Sequence, residues 1–351
     1  MSKKDFLLNT KRIEWLDYSR GICAFCVLIA HNESTPKLYI SMISPFVLML
    51  FFFISGYLYK DYSVSESLKR LLNGLLLPYL ALNFIQIALG FDNYNAIING
   101  NYNFVINKFI NVFLGKEMWF IPCLIFVQIY YIIISKLLKI KGLNKIKYMN
   151  LVIGIVFLFS VYLIRNWNFK STYWYADNAV FALAYFILGN YFKNSQINLC
   201  FKEIKHIKIL AYIVLILFFI LAILSLKYFD VEFHVMTNYY ENPLYFIFIS
   251  LIGITSVLFF SMNAIKYNNH YNITRYLILL GQNSLLLFAF DSKTRAIVNA
   301  IFVKLNIRIL IHTDYIYSLL FSFMQGVLII LLSIIVNKYL PYIVGKKKWI
   351  N

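Results

Sequence analysis

The sequence predicts an all-α, polytopic membrane protein, and three observations point to that class. Hydrophobic residues make up 61% of the 351 residues and charged residues only 14%, whereas soluble domains are about half apolar and a quarter charged. The mean hydropathy is +0.70. The run from Ile209 to Leu226 carries no charge, and as a helix rising about 1.5 Å per residue it nearly spans a ~30 Å hydrocarbon core.

Apolar runs bounded by charges, Pro, Gly and Asn predict about ten spans in a single membrane domain over residues 1–351. The predicted spans are 16–36, 41–60, 71–91, 118–138, 148–166, 178–194, 207–227, 243–262, 273–291 and 316–340. The segment Arg295 to His312 is apolar on one face and carries cations, so we expect an interfacial or re-entrant helix there.

The distribution of Lys and Arg predicts that both termini are cytoplasmic. With that orientation, basic residues are more than twice as frequent in the inside segments as in the outside ones. The outer loop after the ninth span fits poorly, because it holds Lys293, Arg295, Lys304 and Arg308. Since the basic residues lie between apolar runs, topology explains the net charge of +18 and we expect no nucleic-acid partner.

The cysteines point to packing rather than to a metal or redox site. Cys23 and Cys26 form a C-x-x-C inside an apolar segment, and Cys123 also lies in one. A zinc site needs a second pair of Cys or His ligands at comparable spacing, and none follows. We therefore predict no metal and interpret these thiols as core residues.

The first predicted helix contains an unusual polar stripe. Arg20 and His31 are eleven residues apart, which at about 100° per residue is roughly 20° beyond three full turns, so both lie on one face about 16 Å apart along the axis. Asp17, three residues before Arg20, can pair with it. Arg20 snorkelling to the interface and an interfacial His31 would also explain the pattern, but the shared face at two depths favours a stripe that faces a cavity.

Five motifs resemble, in order, those of the membrane-bound acyltransferase-3 family of integral membrane O-acyltransferases that act on surface polysaccharides. They cover residues 14–291. The motifs are LDYSRGICAFCVLIAH (Leu16 to His31), FFFISGYLY (Phe51 to Tyr59), LKRLLNGLLLPYL (Leu68 to Leu80), MWFIPCLIF (Met118 to Phe126) and LGQNSLLLFAF (Leu280 to Phe290).

The chain departs from the family pattern at two places. The basic turn often carries a second arginine near the Pro, whereas Asn73 and Gly74 stand there in this sequence. A histidine frequently follows the Gly-x-Asn-Ser span, and this chain has Asp291 instead. The two departures concern the basic turn and the ninth span, and the first helix keeps the family pattern.

The resemblance implies acyl transfer, usually of acetyl from acetyl-CoA, to a hydroxyl of a glycan or a lipid-linked saccharide at a bacterial cytoplasmic membrane. His31 would act as the general base or carry the acyl group transiently. Arg20 would hold a phosphate or the pantetheine carbonyl of coenzyme A, or fix the geometry of the site. Lys69 and Arg70 are candidates for the 3′-phosphate and pyrophosphate, with positive-inside topology alone as the other interpretation.

Further polar and aromatic residues are secondary candidates. Trp119 would stack on the adenine or line the acceptor cavity, or simply pack at the start of a helix. Asn283 and Ser284, with Gln282 before them, either join helices or face the cavity and contact substrate. Glu33 and Asp291 are the two carboxylates predicted to orient the His31 imidazole as the third member of a base relay.

Two other classes of function are weighed against acyl transfer. A transporter or flippase for a glycan or small polar solute would also have many spans and intramembrane Arg and His residues. Inverted repeats with broken helices would favour transport, and the sequence contains neither. A non-catalytic assembly or sensor protein is the third interpretation, suggested by the two departures from the family pattern.

Overall fold

The computed structural model describes residues 13–143, 148–165, 172–195, 207–224, 233–267, 272–305 and 314–347. These ranges are almost entirely helical, which confirms the predicted all-α class. Strands β1 (Phe233–His234) and β2 (Tyr239–Tyr240) form a short antiparallel pair between two helices.

The helices, numbered in chain order, are bounded as follows. They are α1 (Glu14–Ala30), α2 (Lys37–Ile43), α3 (Val47–Leu58), α4 (Val64–Leu71), α5 (Leu77–Ala88), α6 (Phe91–Ile98), α7 (Tyr102–Phe113), α8 (Phe120–Ile140), α9 (Met149–Leu158), α10 (Ser160–Arg165), α11 (Ala176–Asn194), α12 (Ile207–Leu224), α13 (Pro243–Tyr267), α14 (Asn272–Gln282), α15 (Ser284–Lys304) and α16 (Tyr315–Tyr339). A π-helical turn over Leu72–Leu76 joins α4 to α5, and short 3-10 turns cover Tyr173–Tyr175 and Val235–Thr237.

Several helical segments are long and apolar enough to cross a membrane. Within the described ranges there are five, or six if one bent pair counts as a single span. They are Lys37–Leu58, Val64–Ala88, Phe120–Ile140, Pro243–Lys266 and Tyr315–Tyr339, with the bent pair Asn272–Gln282 and Ser284–Lys304. The protein is therefore an integral membrane protein, while the ten spans and the cytoplasmic termini stay predictions.

The ninth predicted span, 273–291, contains a sharp bend that the sequence does not predict. Helix α14 ends at Gln282 and α15 begins at Ser284, and the two meet at an angle of 95°. The helix that contains Arg295 begins at Ser284 and continues unbroken to Lys304, so it does not begin at Arg295, and an interfacial or re-entrant position for this segment stays a prediction. Three of the four cations assigned to the outer loop thus lie on α15; Arg308 and the rest of the segment to His312 lie outside the described residues.

Side-chain amides stabilise the bend at Asn283. The Asn283 Nδ2 donates to the Leu279 carbonyl at 2.7 Å, and its Oδ1 accepts from Asn337 Nδ2 and from Lys346 Nζ, both at 3.0 Å. A sharp break in a helix leaves backbone groups unpaired, so a side chain that reaches back to a carbonyl lowers its cost. Asn283 therefore joins the bend to the end of α16.

Helix α1 packs against α14 with the two backbones in close contact. A Cβ added at Gly21 would collide with the Leu277 carbonyl oxygen, and one added at Gly281 would collide with the Asp17 carbonyl oxygen. Such a contact requires residues without side chains, as is common between membrane helices. It brings the polar stripe of α1 beside the end of α14.

The cysteines described by the structure lie in the hydrophobic core, as the packing interpretation predicts. Cys23 and Cys123 are fully buried free thiols, and Cys26 is partly buried. Cys200 lies outside the described residues. Among the residues that the structure describes, no group of three or more His, Cys, Asp or Glu side chains is placed to bind a metal ion.

Candidate active site

His31 and Asp291 form a hydrogen-bonded pair at the end of α1. His31 is the last residue of the helical turn, with φ −87° and ψ −6°, and its side chain is half exposed. Its Nδ1 lies 2.9 Å from the Asp291 Oδ2. An ionised carboxylate can only accept, so with Asp291 ionised the hydrogen lies on Nδ1, and the neutral form of the imidazole then has its lone pair on Nε2. The ring is thus prepared to accept a proton at Nε2.

Of the two carboxylates predicted to orient the imidazole, the structure brings Asp291 to His31 and not Glu33. Glu33 is exposed in the turn after α1, and no hydrogen bond or ion pair joins it to His31 within the described ranges. The family position that frequently holds a histidine therefore supplies a carboxylate to the first-helix histidine in this chain.

Two further residues hold the Asp291 carboxylate. Arg295, one turn further along α15, donates from Nη2 to Asp291 Oδ2 at 3.2 Å and from Nη1 to the His31 carbonyl at 2.6 Å. Gln325 on α16 donates from Nε2 to Asp291 Oδ1 at 2.9 Å. With both oxygens bonded and 11% of the side chain exposed, the carboxylate is fixed in place.

Sequence reasoning did not select Arg295 or Gln325 for this site. The sequence assigns Arg295 to the segment after a ninth span that ends at 291, whereas α15 continues through it to Lys304. Gln325 is an amide in an otherwise apolar stretch of α16, and it is fully buried. A polar residue isolated in such a span is the signal that could have identified it.

At the other end of α1, Asp17, Arg20 and Gln282 form a second polar cluster. Arg20 Nη1 lies 3.9 Å from Asp17 Oδ1. This is a long ion pair, and it confirms the predicted pairing of the two side chains. Gln282 donates from Nε2 to Asp17 Oδ2 at 2.9 Å. Arg20 and His31 thus both face the bent pair α14 and α15, as expected for residues on one face of a helix.

Arg20 lines a cavity of about 610 Å³, here called the basic chamber. Its charged lining is Arg20, Lys60, Arg70 and Lys193 with one carboxylate, Asp17. Arg70 Nε bonds to Glu66 Oε1 at 2.8 Å, which uses one of the five guanidinium donors. The excess of cations suits a phosphate-bearing ligand.

The two predicted cations of α4 differ in position. Arg70 lines the basic chamber, with its guanidinium 3.9 Å above the Tyr62 ring, whereas Lys69 is exposed and is not part of the chamber wall. Lys60 and Lys193, which sequence reasoning counted only toward topology, supply the remaining cations. Gly74, which with Asn73 stands at the turn where a second arginine is frequent in the resembled family, leaves that part of the wall without a side chain.

A second cavity of about 370 Å³, here called the aromatic chamber, adjoins the basic chamber. Arg20, Gln128 and Gln282 line both. The far walls are Phe51, Phe120, Phe288 and Ser284, among others. The polar triplet is therefore divided, since Gln282 and Ser284 face the chambers and Asn283 joins helices.

Trp119 packs against other aromatic side chains and lines neither chamber. Its ring centroid lies 5.5 Å from that of Tyr175 and 6.4 Å from that of Phe120. The side chain is partly buried at the start of α8. This position agrees with the packing interpretation of Trp119.

A third cavity of about 230 Å³, here called the polar pocket, lies beside the residues that follow Asp291. Its lining includes Gln86, Glu117, Ser292 and Lys293. The lining contains amide, carboxylate and ammonium groups. Such a lining suits a ligand rich in hydroxyl groups, because both donors and acceptors are present.

The comparison with known families decides which class of protein holds this arrangement. A family model described as an acyltransferase domain, that of the acyltransferase-3 family, matches residues 13–339. The chain belongs to the acyltransferase-3 family. No match was found among the curated proteins or among the solved structures. The protein is thus a membrane acyltransferase, and this membership gives no support to a transporter or flippase.

Proposed function

We propose that this acyltransferase transfers an acetyl group from acetyl-CoA to a hydroxyl of a cell-surface polysaccharide or its lipid-linked precursor, at the bacterial cytoplasmic membrane. The observation that carries the proposal is the 2.9 Å hydrogen bond between His31 Nδ1 and Asp291 Oδ2. A sugar hydroxyl is a poor nucleophile until a base removes its proton, and an oriented neutral imidazole is suited to that task.

In the proposed reaction, His31 Nε2 takes the proton of the acceptor hydroxyl while the hydroxyl oxygen attacks the thioester carbonyl. A carbon–oxygen bond forms, the carbon–sulfur bond breaks, and the proton passes from the imidazolium to the departing sulfur. Asp291 orients the ring and balances its transient positive charge. General base catalysis of this kind contributes about 10² to 10⁴ in rate.

The basic chamber is the proposed site of the donor's phosphates. Arg20, Arg70, Lys60 and Lys193 would hold the 3′-phosphate and pyrophosphate, since charge-assisted bonds to phosphate are among the stronger polar contacts. A volume of about 610 Å³ lies within the ordinary range for ligand pockets. The adjoining aromatic chamber extends this space along α1 for the flexible pantetheine arm.

The test is acceptor acetylation in membranes supplied with radiolabelled acetyl-CoA. We expect His31→Ala to lose most of the transfer and Arg20→Ala to lose transfer at low donor concentration. His234→Ala serves as the control, because His234 is an exposed histidine of β1 outside all three cavities. Acetylation by His31→Ala at the wild-type rate would overturn the proposal.

A further inference from the structure

The aromatic chamber and the polar pocket share the same three walls. Around α5, Gly74 and Leu75 line the chamber, and Asn83 and Gln86, farther along, line the pocket. The other two walls are divided in the same way, so that one part of each wall lines the chamber and the adjacent part lines the pocket. Glu117 lines the pocket and Phe120 the chamber at the start of α8, while Phe288 lines the chamber and Ser292 the pocket on α15. The two cavities therefore follow one another along the same helices.

Aromatic rings line the chamber close in sequence to pocket residues, with Phe120 three residues after Glu117 and Phe288 four residues before Ser292. The Phe120 and Phe288 rings stack with their centroids 4.9 Å apart and an interplanar angle of 20°. Phe51 contacts both, at 5.6 Å from Phe120 and 5.4 Å from Phe288. Phe51 and Phe120 are buried in the core. Phe288 and Ser292, four residues apart on one helix, lie on the same face.

We infer that the two cavities are the two halves of one passage through the helix bundle, and that the stacked Phe120 and Phe288 rings, braced by Phe51, are the barrier between them. The barrier lies one helical turn from Asp291 on α15. Opening it joins the basic end of the passage, at Arg20, to the polar pocket, whose lining includes Ser292, the residue after Asp291.

The role of this barrier in acyl transfer rests on the proposed function. A thioester arm that enters from the basic chamber reaches the acceptor side only when the rings separate, and the closed rings keep water away from the thioester between turnovers. The polar pocket would then hold the hydroxyl-rich ring of the acceptor. The barrier itself is a property of the passage and is measurable without donor or acceptor.

The experiment measures access to the polar pocket from each face of sealed membrane vesicles. Ser292 is exposed and lines the pocket, so Ser292→Cys reports on it through a charged, membrane-impermeant thiol reagent added to one face at a time. Labelling of the chain with its native cysteines alone is subtracted. We expect labelling of Ser292→Cys from one face only.

Adding Phe288→Ala, or Phe120→Ala as a second route to the same opening, is expected to produce labelling from both faces. Phe302→Ala is the matched control, since Phe302 is a buried phenylalanine of the same helix, stacked edgewise on Tyr317 and Phe321 and outside the three cavities. Each variant is first checked for a monodisperse elution profile in detergent.

The inference is overturned if Ser292→Cys reacts from both faces while Phe288 is intact, because then no barrier exists. It is equally overturned if labelling stays confined to one face in both alanine variants. Failure of the wild-type protein to transfer acetyl would instead remove the proposed function and leave the labelling result as it stands.

Discussion

At the scale of single residues, the central residue of the candidate site is Asp291. It receives hydrogen bonds from His31, Arg295 and Gln325, which belong to three different helical segments. A buried carboxylate with all its partners in place is rigid, and removal of one partner is costly. The residue that departs from the family pattern is therefore integrated into the site, and the non-catalytic interpretation loses one of its two grounds.

Asp291→Asn tests whether Asp291 positions the base. The amide would present N–H to the imidazole, favour the hydrogen on Nε2 and remove the lone pair that accepts the proton. We expect kcat to fall about 10²-fold or more, with the donor KM unchanged. Asp314→Asn is the control, because Asp314 caps α16 by accepting from the Ile316 and Tyr317 amides and Asn also caps helices well. Equal kcat values for Asp291→Asn and wild type would contradict the assignment.

Arg70→Ala and Lys69→Ala form a matched pair, since both remove one positive charge from the same short helix. Only Arg70 lines the basic chamber. We expect Arg70→Ala to raise the donor KM about tenfold, as the loss of one charge-assisted bond predicts, and Lys69→Ala to leave it unchanged. Steady-state kinetics with varied acetyl-CoA measures both. An unchanged KM in both variants would show that the α4 cations serve topology alone.

Helical arithmetic on the sequence correctly placed Asp17, Arg20 and His31 on one face of α1, because the period of an α-helix is fixed. It could not assign partners from distant segments. Lys60, Lys193, Arg295 and Gln325 reach the site only through the packing of helices far apart in the chain, and no local pattern marks that packing.

At the scale of helices, the contact between α1 and α14 sets the positions of the polar residues on both. Gly281→Ala is expected to lower the thermal stability of the detergent-solubilised protein, by about 1–3 kcal/mol in free energy of unfolding, because the added methyl would collide with the Asp17 carbonyl oxygen. Gly74→Ala is the control, since a Cβ there meets no atom within 4 Å. Melting temperatures compare the two variants. Equal melting temperatures would show that the close contact does not limit stability.

Some predicted segments agree with helices to within two residues, as for 118–138 against Phe120–Ile140 and 316–340 against Tyr315–Tyr339, whereas α6 and α7 lie in the stretch between two predicted spans. The sequence did not predict the bend at Asn283, and the reason is physical. Hydrophobic runs reveal where a chain can be helical, whereas direction changes depend on which side chains satisfy the broken backbone. In this chain Asn283 itself bonds the Leu279 carbonyl, and its side chain is held in turn by Asn337 and Lys346, which lie more than fifty residues further along.

At the scale of the whole molecule, the two polar clusters lie at opposite ends of α1. Eleven residues separate Arg20 from His31, or about 16 Å along the helix axis. The chambers extend from the Arg20 end, and the polar pocket lies beside the residues that follow Asp291. A donor bound at one end and an acceptor at the other would meet inside the protein, which is the central claim of the proposed function.

Acetyl transfer in sealed, oriented vesicles tests that claim most directly. Radiolabelled acetyl-CoA is supplied on one face and the acceptor glycan on the other, and then the two are exchanged. The two-ended site predicts acetylated glycan when acetyl-CoA is on the face of Arg20 and the acceptor on the face of His31, and none in the reversed arrangement. Transfer only when both substrates share one face would contradict it.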